Sequence, residues 1–175
     1  VVVGVAAWFL KRLRHVPEAR SMLSMTFWLL TVLVPLQMII GDLHGLNTRE
    51  HQPAKIAAIE AHWETMRGAP LNLFAWPDEA NETNKYVLSV PLLGSLILTH
   101  ELDGEIRGLK DWPADQRPPV AIPFFSFRVM VGIGLLMLAL VAASWWLRWR
   151  DRLYDTPAFL TCCQLVAPLG FVAVL

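Results

Sequence analysis

The sequence predicts an all-α fold, a polytopic membrane helix bundle with a long extracytoplasmic loop, and three observations carry that expectation. Residues 21–40, SMLSMTFWLLTVLVPLQMII, hold no charged side chain. Residues 121–147, AIPFFSFRVMVGIGLLMLALVAASWWL, hold one, Arg128. A hydrocarbon core of about 30 Å takes roughly 20 helical residues, so each run can cross it. Between the two lies segment 42–120, which is acidic and rich in Pro and Asn.

Taken in order, residues 1–10, VVVGVAAWFL, are apolar over only half a span. Residues 157–175 stay apolar to the last position. The first and last helices are therefore expected to be truncated, and the chain to be an internal piece of a larger polytopic protein. The domain reading follows: 1–41 as helices with a basic connection, 42–120 as the external loop, and 121–175 as helices with a second basic connection.

A net charge of zero hides an asymmetry. Segment 42–120 carries 12 acidic and 7 basic side chains, whereas the remainder carries 3 acidic and 8 basic. The basic excess sits mainly in KRLRHVPEAR (11–20) and RWRDR (148–152). Short connections rich in Lys and Arg stay cytoplasmic, which puts both inside and 42–120 outside.

Within the external segment, GDLHGLNTREHQP is expected to be an irregular exit. Pro53 suits a first helical turn, and AKIAAIEAHWETM should stay helical up to the break at Gly68. GAPLNLFAWPDEANETNK reads as loop. Residues 86–99, YVLSVPLLGSLILT, are too short to span and contain Pro91, so they are expected at the interface or packed on the spans. HELDGEIRGLKDWPADQRPPV returns to polar loop.

Three constellations could carry chemistry. Lys55 and Glu60, near Gln52 and Asp42, are five residues apart, about 140° around an ideal helix, so they are not an i,i+4 surface pair. They could flank a ligand as donor and proton acceptor, or belong to a solvated amphipathic helix. His44, His51, His62 and His100 raise the question of zinc, but no HxxxH or Cys partner is present, and surface or interfacial His is the better reading. In SFRVMVGIG (126–134), Arg128 is costly within a span and marks a functional site by default. Met130 offers a soft thioether suited to haem iron, and Gly132 and Gly134 remove bulk beside it. A snorkelling Arg and a lipid-facing Met are the bland alternative.

GDLHG, QPAKIAAIE, HWET, ETNK and FFSFRVM together resemble subunit I of the cytochrome bd-type quinol oxidases. The resemblance covers essentially the whole chain. It implies a quinol:oxygen oxidoreductase of the respiratory chain, in the bacterial inner membrane, that builds a proton motive force without pumping. It also implies that Lys55 and Glu60 bind and oxidise quinol, with Gln52 and Asp42 in the same motif. Met130 falls on the axial ligand of a low-spin haem b, and Arg128 on the Arg beside that haem. The other axial ligand would be a His on the span that VVVGVAAWFL ends, and no His precedes His15 here. The full complex is expected to hold a high-spin haem b and a haem d or haem b at an oxygen site, neither with ligands in this stretch. Expected partners are subunit II, a small accessory subunit, ubiquinol or menaquinol, and lipid, without nucleic acid. The competing readings are a non-catalytic membrane scaffold and a zinc-binding membrane protein with an acidic loop.

Overall fold

The computed structural model describes residues 1–173. Helix α1 is Val2–Lys11, α2 is Val16–His51 and α3 is Pro53–Glu60. Strands β1 (Met66–Arg67), β2 (Leu71–Asp78) and β3 (Thr83–Val90) follow, then α4 (Leu93–Thr99) and β4 (Glu105–Ile106). The long α5 (Ala121–Trp149) precedes α6 (Pro157–Val166) and α7 (Leu169–Val172). Two helices, α2 and α5, are long and apolar enough to cross a membrane. The chain divides into two units, Val1–Met38 with Val129–Leu175, and Ile39–Arg128.

In the first unit, Leu23, Phe27, Val141, Leu147, Phe159, Leu160 and Cys163 form the buried core. Phe27 and Phe159 stack at 5.4 Å. Gly4 lets α1 approach α6 closely, since a Cβ there would meet that of Ala167 at 2.6 Å. Lys11 Nζ donates to Thr161 Oγ1 at 3.0 Å, and Trp145 Nε1 to Thr31 Oγ1 at 3.0 Å. Cys162 is exposed and Cys163 buried, and both are free thiols. The apolar run from 157 is broken into two short helices rather than continuing as one, and residues 174–175 lie outside the described part.

The second unit departs from the all-α expectation. The chain is mostly helical, but this unit adds two antiparallel two-stranded sheets, β1 with β4 and β2 with β3. The β2–β3 hairpin occupies what the sequence suggested was loop. Its turn is closed by Asp78, whose carboxylate accepts from the Asn81 backbone at 3.2 Å and side chain at 2.9 Å and pairs with Lys85. The Lys85 contact first, then those from Asn81, hold the Asp78 carboxyl down at about 2. Register shifts between Asn72 and Phe74, and between Phe74 and Trp76, make the inward residues Asn72, Ala75 and Pro77. A bulge adds a residue and destroys the period of two, so the strand gives no clean alternation. Pro77 is tolerated because both strands of a two-stranded sheet are edges.

Two helix boundaries also differ from expectation. No irregular exit follows α2, which stays helical to His51, about 54 Å of helix at 1.5 Å per residue. Tertiary bonds outweigh Gly41 and Gly45 there: Arg49 Nη1 donates to the Leu98 carbonyl at 2.8 Å, and Asp42 meets His100 Nε2 at 3.2 Å. Helix α3 stops at Glu60, well short of Gly68. The apolar 86–99 stretch is the end of β3 followed by α4. Ser95, fully buried, docks α4: its Oγ accepts from Ala69 N at 2.7 Å and donates to the Gly104 carbonyl at 2.8 Å.

The residue before Ser95 shows how tight that docking is. A Cβ on Gly94 would lie 2.5 Å from the Pro70 carbonyl oxygen and 2.9 Å from that of Ala69, both backbone atoms. Gly94→Ala should therefore cost about 1–3 kcal/mol through overpacking. Gly45→Ala, with nothing within 4 Å, should stabilise by about 0.5–1 kcal/mol because it only lowers unfolded-chain entropy. Thermal unfolding in detergent checks both, and similar melting temperatures for the two variants would contradict the packing described.

Candidate functional site

Helix α3 begins at Pro53, whose missing N–H costs nothing in a first turn, with Gln52 as N-cap. It ends because Ala61 adopts a left-handed conformation, φ 52°. For a residue with a Cβ that geometry costs about 1–2 kcal/mol. The last carbonyls of a helix have no partner inside it, so what satisfies them decides where it stops. Here three side chains do so. Arg128 Nη1 donates to the Ile59 carbonyl at 2.8 Å, Asn72 Nδ2 to that of Glu60 at 2.9 Å, and Asn84 Nδ2 to that of Ala61 at 2.8 Å. Trp63 Nε1 holds Asn84 in place through its Oδ1 at 2.9 Å.

Arg128 is the centre of this arrangement. Its Nη2 donates to Glu60 Oε2 at 2.7 Å and its Nη1 to Oε1 at 3.4 Å. Its Nε and Nη2 donate to the Asn72 carbonyl at 2.9 and 2.7 Å. With the Ile59 bond, all five guanidinium hydrogens have acceptors. The guanidinium also lies over the Phe124 ring at 4.3 Å. Five directed bonds need the planar guanidinium fork, and a Lys ammonium has only three donors, so Lys could not replace it. The positive charge sits at the C-terminal end of α3, where the helix dipole favours it.

Glu60 is 3% exposed. Burial raises its pKa above the ordinary carboxylate value, against the lowering effect of the Arg128 charge and hydrogen bonds. His62, two residues on, is also 3% exposed, which corrects the expectation that all four His lie at a surface. His44, His51 and His100 are exposed. Burial first, then Arg128, pushes the His62 pKa down to about 4.

The other sequence-singled residues are spread out. Lys55 is exposed and makes no ion pair among the described residues, so the structure does not bring it to Glu60. The Gln52 side chain is exposed and makes no cap, while its carbonyl accepts from Lys55 N at 3.0 Å. Asp42 is bound to His100, the residue that caps α4. Met130 lies on α5 and is 43% exposed. Gly132 and Gly134 have nothing within 4 Å. Gly134, one turn on along the same helix face, leaves room beside this exposed thioether for a flat macrocycle, whereas Gly132 lies on the opposite face. Asn72 carried no signal in the sequence; Asn84 stood inside ETNK, and Trp63 and His62 inside HWET, without a role attached.

A mostly helical chain with two helices long and apolar enough to cross a membrane, and a structured polar segment that holds a buried acid–arginine pair, defines the class. The chain belongs to the family described as cytochrome bd terminal oxidase subunit I, which it matches over residues 1–175. It is 32% identical, over 67% of its length, to the cytochrome bd-II ubiquinol oxidase subunit 1 of Escherichia coli (strain K12), of which it covers 23%. It is 28% identical, over 98% of its length, to the cytochrome bd ubiquinol oxidase subunit 1 of Bacillus subtilis (strain 168), covering 39% of that protein. The solved structure of bd oxidase from Geobacillus thermodenitrificans superposes with a TM-score of 0.88 at 32% identity, over 99% of this chain and 40% of that one. The chain thus spans well under half the length of these relatives.

The buried pair yields a prediction. Arg128→Leu leaves the Glu60 carboxylate buried without its cation and should cost about 3–5 kcal/mol. Adding Glu60→Gln to Arg128→Leu should recover part of that loss, because the stranded charge is gone. Additive losses in the double variant, read by thermal melting, would mean that the two side chains do not interact.

Proposed function

We propose that this chain is the electron-entry part of subunit I of a respiratory quinol oxidase. The buried Glu60–Arg128 pair carries the reading. Quinol oxidation releases two protons and two electrons, so it needs a proton acceptor held in a site from which bulk water is excluded. A carboxylate whose proton affinity is raised by burial can act near neutral pH. Arg128 fixes the orientation of that carboxylate, and Asn72 and Asn84 fix the helix end that bears it. Lys55, on the exposed face, hydrogen-bonds a quinone oxygen; Gln52 and Asp42 flank the same segment.

Met130 would supply a thioether ligand to a low-spin haem b, and when bound the haem would supply a one-electron acceptor. With all five of its hydrogens committed to the loop, Arg128 would contribute to haem binding through its charge rather than through a hydrogen bond. Segment 42–120 lies outside the cytoplasmic membrane in this reading, so the protons are released there and contribute to a proton motive force without pumping. The working oxidase then includes a second subunit, and its remaining haems sit on parts of subunit I beyond this stretch.

Glu60→Gln in the complete oxidase should lower quinol turnover by about 10²–10⁴-fold while leaving the haem spectrum intact. The sign of the pH dependence follows from the raised pKa. Ionised Glu60 is the base, so wild-type kcat/KM should fall as pH drops through a value above the ordinary carboxylate range, and Glu60→Gln should lose that limb. Lys55→Ala removes a donor rather than the base and should mainly raise KM. Wild-type kinetics in both variants would reduce the stretch to a structural helix.

Met130→Leu keeps volume and apolarity, so folding should change little. It removes a soft ligand, and the low-spin haem b absorption of the full oxidase should be lost or its potential lowered. An unchanged low-spin spectrum would remove Met130 from the ligand set.

A further inference from the structure

The backbone closes the end of α3 with two bonds: Ala61 N donates to the Ala58 carbonyl at 3.1 Å, and His62 N to that of Ala57 at 2.9 Å. This is a Schellman pattern, and its left-handed residue is Ala61, φ 52° and ψ 44°, at a position that Gly usually fills. An Ala there is strained and persists only where its surroundings hold it. Ala61 is buried, and its carbonyl accepts from Asn84 Nδ2 at 2.8 Å. Asn84 belongs to β3 of the hairpin, and the buried Trp63 donates from Nε1 to its Oδ1 at 2.9 Å. An indole N–H only donates and a peptide carbonyl only accepts, so the two partners fix which end of the Asn84 amide faces which. Asp at 84 has no donor for the carbonyl, and Leu has neither end of the link. The link grips the chain one residue after Glu60, whose Oε2 accepts from Arg128 Nη2 at 2.7 Å.

We propose that Asn84, aimed by the Trp63 indole, is a positioning residue for quinol oxidation: it holds Ala61 in the left-handed turn and so keeps the Glu60 carboxylate buried on Arg128. This rests on the quinol-oxidation reading above and adds the hairpin to the parts that set the rate. Asn84 itself touches no ligand. It acts through the placement of the proton acceptor, not through affinity for quinol. Once the turn relaxes, the end of α3 swings away from Arg128 and the carboxylate meets water. The desolvation that raises its proton affinity then weakens.

The test uses the assembled oxidase with a short-chain ubiquinol and reads kcat, KM and the acid limb of kcat/KM. Asn84→Leu keeps the size of the side chain but removes both ends of the amide. It should lower kcat about 10–100-fold, leave KM within about twofold and move the acid limb about one pH unit toward the ordinary carboxylate range. Adding Ala61→Gly should restore most of kcat and of the limb, because Gly takes up the left-handed turn without being held there. A wild-type limb in Asn84→Leu overturns the inference. So does a loss that Ala61→Gly leaves unrescued, since Asn84 then acts elsewhere than at the turn. Should Asn84→Leu fail to assemble, Trp63→Phe decides, because it keeps an aromatic ring and removes the N–H that aims Asn84. A limb moved in the same direction supports the inference, and an unmoved limb overturns it. A limb that survives Glu60→Gln overturns the underlying reading instead, whereas one that Glu60→Gln abolishes and Asn84→Leu leaves in place overturns this inference alone.

Discussion

The end of α3 depends on one guanidinium. Arg128 satisfies the Ile59 carbonyl, the Glu60 carboxylate and the Asn72 carbonyl together, joining the short helix, the β2–β3 hairpin and the first turns of α5. Remove it and three acceptors lose their donor in a largely buried place. The left-handed turn at Ala61 persists because these bonds over-determine it. That turn in turn directs His62 and Trp63 inward, where Trp63 orients Asn84 and Ala57, Ala58 and Leu109 close the local core.

The same arrangement separates the roles of two residues that sit five apart. Lys55 faces outward on α3 and Glu60 inward, so in the proposed reading one would meet a ligand from solvent or lipid and the other would hold a proton. Desolvation sets the proton affinity of Glu60, and Arg128 limits how far burial can raise it. A buried ion pair adds little net stability but gives a unique geometry, which suits a site more than a core.

How much of this was legible in the sequence depended on how local each cause is. Two helices able to cross a membrane follow from the apolar runs at 21–40, without charge, and 121–147, with Arg128 alone, because hydropathy is a property of the run itself. The hairpin was not legible, since its bulges at Asn72–Trp76 erase the alternation that marks a strand. Nor was the end of α3: Ala61 is a good helix former, and what stops the helix comes from Arg128, Asn72 and Asn84, all distant in sequence. Glu60 and Arg128 each stood out alone, one for its motif and one as a charge in a span. Their pairing, across sixty-eight positions, is a tertiary fact. His62 was grouped with exposed His because HWET gives no sign of what the Ala61 turn does to the ring.

The central claim is that Glu60 is a buried carboxyl whose proton affinity is set by burial against Arg128. Isotope-edited infrared titration of the complete oxidase, with labelled Glu and Glu60→Gln as the difference reference, reads that group directly. The account predicts a protonated-carboxyl band, absent in the variant, that disappears only as pH rises through a value above the ordinary carboxylate range. A Glu60 signal that stays ionised down through that ordinary range would contradict it.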